Sequence, residues 1–175
     1  MVTRNKSAYR TFLYEFINDV LVVCPQCSNQ AIVRSNGFSF RDGNNDVKVT
    51  CSSCGFNKRI DRNPTVVLNP AGTRGKRISE GKHMIIGAPV DPFFHLSVWI
   101  KQDVRDNVLW AYNYRHLEFI RDFIDSKLRE RNGGNLNRSL GSRLPRWMTS
   151  SGNRDEILKA INKLKVPARK DHPDK

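Results

Sequence analysis

The sequence predicts an α+β fold: an N-terminal helix, a four-cysteine zinc ribbon of antiparallel strands, and then a small core made of a β-hairpin and helices. Three observations carry that prediction. The cysteines fall in two C-x-x-C pairs, Cys24/Cys27 and Cys51/Cys54, separated by 23 residues. The chain around them alternates apolar with polar residues between turn residues, as strands do. The second half opens with β-rich apolar segments and passes into apolar residues spaced three and four apart, as on helices.

Taken in order, Ala8, Tyr9, Phe12, Leu13, Phe16, Ile17 and Val20 recur at helical spacing. They predict an amphipathic helix over 7 to about 19, with Ser7 as its N-cap. Leu21 to Val23 lead as a short strand into Cys24, and Gln30 to Arg34 lead as another out of Cys27. Asp42-Gly43-Asn44-Asn45 supplies a hairpin turn, because these residues accept left-handed dihedrals. Val47 and Val49 then alternate toward Cys51, and Phe56 to Ile60 closes the ribbon, so that residues 1–61 form one unit.

Residues 62–90 read as a basic linker or arm. They contain Asn63-Pro64, Asn69-Pro70, Gly72, Gly75 and Gly81, interleaved with Arg74, Lys76, Arg77 and Lys82, a breaker-rich composition. Val66, Val67 and Leu68 give that stretch one short strand able to dock. Asp91-Pro92 opens the core, residues 91–166, in which Phe93 to Ile100 and Val108 to Tyr112 predict a hairpin turning at Asp106-Asn107. Asn113 caps a helix with Leu117, Ile120, Ile124 and Leu128 on one face, widened by Phe119 and Phe123, and stopped by Asn132-Gly133-Gly134. Gly133 to Ser142 reads as a loop, and Pro145 starts a short turn with Trp147 and Met148. Asn153 and Glu156 form a capping-box pattern for a last helix carrying Ile157, Leu158, Ile161 and Leu164. Residues 167–175 read as a flexible tail.

The cysteines carry the chemistry. Each C-x-x-C turn aims two sulfurs at one metal and the hairpin brings the pairs together, which is what tetrahedral S₄ coordination requires. Zn²⁺ is the expected occupant, and an S₄ site also accepts iron. Four protein ligands leave no open position, so the metal holds structure and does not activate water. Gly55 follows the last ligand, where the chain bends back and a side chain would crowd the backbone. His83, His95, His116 and His172 show no metal spacing, and no phosphate loop, nucleophile elbow or acid–base pair is legible.

The 38% hydrophobic and 9% aromatic content supports a packed core, and 27% charged residues with no apolar run of spanning length exclude a membrane protein. Residues 1–7 lack the apolar stretch of a signal peptide, so a cytoplasmic location is the default, where thiols stay reduced. The net charge of +13 favours a nucleic-acid partner, DNA or RNA. Residues 1–61 carry a net +3, 62–90 +4, 91–131 zero and 132–175 +6. Arg34, Arg41, Lys48, Lys58 and Arg59 with Phe38, Phe40 and Phe56 make either a basic aromatic-bearing face or a ribbon covered by its phenylalanines. The candidate nucleic-acid contacts are Arg41, Lys58, Arg59, Arg74, Lys76, Arg77, Arg138, Arg143, Arg146 and Arg154. Trp99, Trp110, Trp147, Tyr112 and Tyr114 read as core or as an aromatic pocket. A protein-interaction module in a larger assembly, using Trp110, Trp147 and the N-terminal helix, is the alternative.

Leu109-Trp110-Ala111-Tyr112-Asn113, followed by His116-Leu117 and Leu128-Arg129-Glu130-Arg131, resembles a pattern in bacterial transcription-factor-IIB-type zinc-ribbon-containing proteins. Leu144-Pro145-Arg146-Trp147-Met148 with Asn153-Arg154 and Ile157-Leu158 extends the likeness, which covers most of 91–165 and reaches the paired cysteines. It implies a ribbon and an accessory role in transcription or another nucleic-acid process, and it brings no catalytic residues.

Overall fold

Alternating β-branched residues build the ribbon. In the computed structural model, which describes residues 11–35, 46–60, 65–67, 83–126 and 139–165, four strands pair antiparallel in chain order. They are β1 (Asp19–Val23), β2 (Gln30–Arg34), β3 (Val47–Thr50) and β4 (Asn57–Ile60). Val20 lies opposite Val33 and Val33 opposite Val49, while Val22 faces Ala31 and Val47 faces Ile60. All of these are buried on one face. Because side chains alternate along a strand, the other face carries Asp19, Arg34, Lys48 and Arg59 in one cross-strand row and Leu21, Ile32, Thr50 and Asn57 in the next.

The outer side of β1 is paired to the second half of the chain. Leu21 donates its N–H to the Tyr112 carbonyl at 2.8 Å, Val23 donates to Ser97 at 2.9 Å, and Trp99 donates to Leu21 at 2.8 Å. Val22 and Val98 form an antiparallel bridge. One buried cluster accordingly runs from Phe16 through Val33 and Val49 to Met84, Phe93, Val98 and Tyr112, across the boundaries expected at 61 and 91.

A continuous helix over 7 to 19 does not form. Phe12 is extended (φ −112°, ψ 148°), Leu13–Phe16 make one 3-10 turn, and β1 has already begun at Asp19. The Asn113 carboxamide explains the early exit, since it donates to the carbonyls of Phe16 and Asp19 at 3.0 and 2.8 Å and so holds this segment out of a helical ladder. Ser7 and the Asp42–Asn45 turn lie outside the described residues. Within the expected linker, β5 (Thr65–Val67) pairs in parallel with β6 (His83–Ile85), and Met84 and Ile85 are buried. The end of that stretch therefore belongs to the core.

The hairpin starts later than its apolar run predicts: β7 (Ile100–Val104) pairs with β8 (Asn107–Ala111), and Arg105 turns between them at φ +52°. Phe93 and Phe94 sit instead in a buried turn nucleated by Asp91. Its Oδ1 accepts from the N–H of Phe93 and Phe94 at 2.9 and 2.8 Å, and its Oδ2 accepts from Leu96 at 2.6 Å. Helix α1 (Tyr114–Asp125) is capped as expected, with Asn113 Oδ1 accepting from His116 N–H at 2.9 Å. It buries Leu117, Ile120, Phe123 and Ile124. It ends at Asp125, where Ser126 turns extended; Leu128 and Asn132–Gly134 lie outside the described residues.

Short helices α2 (Leu140–Arg143) and α3 (Arg146–Thr149) precede α4 (Arg154–Lys165), so the expected loop ends in helix and Pro145 starts a turn as predicted. The Asn153/Glu156 capping box is not made. Asn153 donates to the Trp147 carbonyl and accepts from Arg105, and Glu156 pairs with Arg105 at 2.7 Å. A second cluster joins β7, β8, α1, α3 and α4 through Ile100, Leu109, Ile120, Met148 and Ile157, and Phe119 packs against both clusters. Among the described residues no helix is long and apolar enough to cross a membrane.

Candidate functional site

The two cysteine pairs sit on equivalent turns. In the first, Cys24 N–H donates to Asn29 O at 2.8 Å and Ser28 N–H donates to Cys24 O at 3.0 Å. In the second, Cys51 N–H donates to Phe56 O at 2.8 Å and Gly55 N–H to Cys51 O at 3.0 Å. The residue after each second cysteine is left-handed, Ser28 at φ +58° and Gly55 at φ +77°. A Cβ built on Gly55 meets nothing within 4 Å. The need for glycine there is conformational, and the crowding expected from the sequence is absent.

All four sulfurs lie within 4.8 Å of one another. Cys24 to Cys54 is 3.7 Å and Cys27 to Cys51 is 3.6 Å. No disulfide joins them, and a metal–sulfur bond of about 2.3 Å in tetrahedral geometry sets sulfurs about 3.8 Å apart. The donor set thus fits one metal ion. Asn29 Nδ2 donates to Cys27 Sγ at 3.5 Å, an orienting contact outside the ligands. Burial pushes the Cys51 thiol up, but amides of Cys54 and Ser53 and the neighbouring thiols outweigh it and bring it down to about 6. At Cys54 the Phe56 amide favours the thiolate, yet burial and the other three sulfurs push it up to about 12. A cation bound among the sulfurs would offset the repulsion that raises Cys54.

The candidate cations divide. Arg59 lies on the open ribbon face in the row with Arg34 and Lys48, whereas Lys58 is exposed from the opposite face of β4. Arg34 and Arg59 pair with Asp19 and Asp46 at 3.4 and 2.8 Å, all at least 40% exposed. Such pairs are weak and open to exchange. Arg143 and Arg146 are exposed on α2 and α3. Arg154 is engaged elsewhere: its Nε donates to Ile124 O at 2.8 Å and a terminal nitrogen donates to Asp125 O at 2.7 Å, closing the end of α1. Arg41, Arg74, Lys76, Arg77 and Arg138 lie outside the described residues, as do Phe38 and Phe40. Phe56 packs against the ribbon cluster.

His116 belongs to the core. Its ring stacks on Phe16 at 4.9 Å and its Nδ1 accepts from Tyr112 N–H at 3.2 Å, and burial lowers its pKa to about 3. Of the aromatic candidates, Tyr112 is fully buried, the three tryptophans are half-buried, and Tyr114 is exposed at the start of α1. Lys163 of α4 joins the open ribbon face. No sequence signal places it there, because nothing local says that α4 folds across the ribbon. No family model, curated protein or solved structure matches the chain, so the likeness to bacterial zinc-ribbon proteins rests on the residues quoted for it.

Proposed function

We propose that this chain is a non-catalytic nucleic-acid-binding protein whose ribbon is held by one Zn²⁺ on Cys24, Cys27, Cys51 and Cys54. The observation that carries the reading is the cationic row Arg34, Lys48 and Arg59 on the exposed face of a metal-stapled sheet. Three adjacent strands set these cations roughly 5 Å apart, close enough to engage successive phosphates through long side chains. Arg143 and Arg146 offer a second exposed basic pair, and Arg41, Arg74, Lys76, Arg77 and Arg138, outside the described residues, add to the positive charge of the chain. Zinc suits four thiolates in a closed site, and its task here is to fix the geometry of the face.

Elemental analysis should return one zinc per chain. Fluorescence anisotropy of labelled DNA and RNA, run with metal-verified protein across a salt series, should show binding that weakens steeply as salt rises, because each neutralised phosphate releases counterions. Absence of binding at low salt would remove the reading and leave a protein partner as the better account of the charge.

A further inference from the structure

The open face of the ribbon is the floor of a groove of about 840 Å³. Leu21, Ile32 and Thr50 of the sheet, Trp99 and Ile100, and Lys163 and Leu164 of α4 line it. Tyr114, 41% exposed, stands at its margin. Gln30, Ser52 and Ser53 line the end beside the second cysteine turn, and Arg34 joins the groove to the cationic row continuing through Lys48 to Arg59. The lining therefore combines apolar and aromatic side chains with two cations, Arg34 and Lys163, and with polar Gln30, Thr50, Ser52 and Ser53.

We infer that this groove binds single-stranded RNA. The inference rests on the nucleic-acid reading above and deepens it by naming the strand and its seat. Charge complementarity selects a polyanion: Arg34 and Lys163 line the groove, Lys48 and Arg59 extend the row beside it, and among the described residues Asp19 and Asp46 hold Arg34 and Arg59 in exposed, exchangeable pairs. The shape selects an unpaired strand. Residues of three strands, β1 to β3, line the groove, a width of about 10 Å, and a base can enter a trough of that width only when unpaired and free to stack, with the Trp99 and Tyr114 rings as platforms. The polar part of the lining favours RNA over DNA. Gln30, Thr50, Ser52 and Ser53 supply amide and hydroxyl groups that can exchange hydrogen bonds with a ribose 2′-hydroxyl, a group that deoxyribose lacks.

The test uses the full-length, zinc-loaded protein and fluorescein-labelled oligomers of about eight nucleotides, within the range one small β-domain occupies: a single-stranded RNA, the DNA of the same sequence, and the RNA duplex. The RNA strand should bind tightest. Tyr114→Ala should weaken it about tenfold and Tyr114→Phe should restore it, since stacking needs the ring and not the hydroxyl. Lys48→Ala and Lys163→Ala should each lower the salt slope by about 0.7, with zinc content and circular dichroism unchanged in every variant. Equal or tighter binding of the DNA or the duplex would overturn the inference. So would wild-type affinity in the Tyr114 and lysine variants while Arg143→Ala and Arg146→Ala weaken binding, a result that keeps nucleic-acid recognition and moves it elsewhere. Failure of all three oligomers, and of a DNA duplex, to bind at low salt would remove both readings.

Discussion

Single residues set the energetics of the two tight places in this fold. At the metal turns, Gly55→Ala should cost about 1 kcal/mol of stability in the metal-loaded protein, because the left-handed backbone is strained for any residue with a Cβ while the space around it is open. Ser28→Gly should return a comparable amount at the equivalent position, and urea denaturation of the loaded protein measures both. Asp91 is the second place. Its buried carboxyl alone accepts three backbone N–H groups, and Asp91→Ala should cost about 3 kcal/mol by leaving them dry. Burial raises its pKa from 3.8 to about 6 against the pull of those N–H groups and of His95. A carboxyl raised on folding binds protons more tightly in the native state, so its contribution is present below about 4 and is lost as pH rises toward and through 6. His116, lowered to about 3 by burial, acts with the opposite sign: the unfolded chain takes up a proton near 6.5 and the native one does not, so stability falls on acidification. Metal loss on acidification adds to that trend. The readout is accordingly the difference between wild type and Asp91→Ala, which should shrink as pH rises from about 4 to 7; a constant difference would show an unperturbed carboxyl.

At the level of elements, local signals were legible where local physics decides. Strands β1 to β3 follow from alternating apolar residues beside the cysteine turns, and the Asn113 cap and the apolar stripe of α1 from Leu117 to Ile124 are present as read. What escaped was decided at long range. Phe93 and Phe94 have strand composition but obey Asp91, the N-terminal helical periodicity yields to Asn113 and to burial of Phe16 and Ile17, and the parallel pair β5–β6 joins residues with no local cue to meet. Arg154 illustrates the same limit for the site. Its charge marks it as a phosphate contact in the sequence, while in the fold its guanidinium satisfies the last carbonyls of α1, where a cation also opposes the helix dipole. Arg154→Ala should therefore lower stability by about 2 kcal/mol, Arg154→Lys should recover only part of it because one ammonium cannot copy the two-pronged contact, and nucleic-acid affinity should stay near wild type in both. A large affinity loss with unchanged denaturation would reverse the assignment.

For the whole molecule, the consequential feature is that β1 is shared. It pairs with β2 on the ribbon side and with residues 97–99 on the other, and its buried Val20 and Val22 lie in a cluster that also holds Phe93, Val98 and Tyr112. A small ribbon has little core of its own and takes much of its stability from the metal, for which binding and folding are one free energy. If the ribbon hung from a linker, stripping the metal would melt it and spare the rest. With β1 in common, loss of the metal exposes the edge on which residues 97–99 and the carbonyl of Tyr112 rely, next to the Asn113 cap that starts α1. Hydrogen exchange read by mass spectrometry, before and after removal of the metal with a strong chelator, should show protection falling in β7, β8 and α1 together with β1 to β4. Protection that persists in β7, β8 and α1 while the ribbon strands exchange freely would show that the second cluster, through Ile100, Leu117 and Ile157, stands without the first.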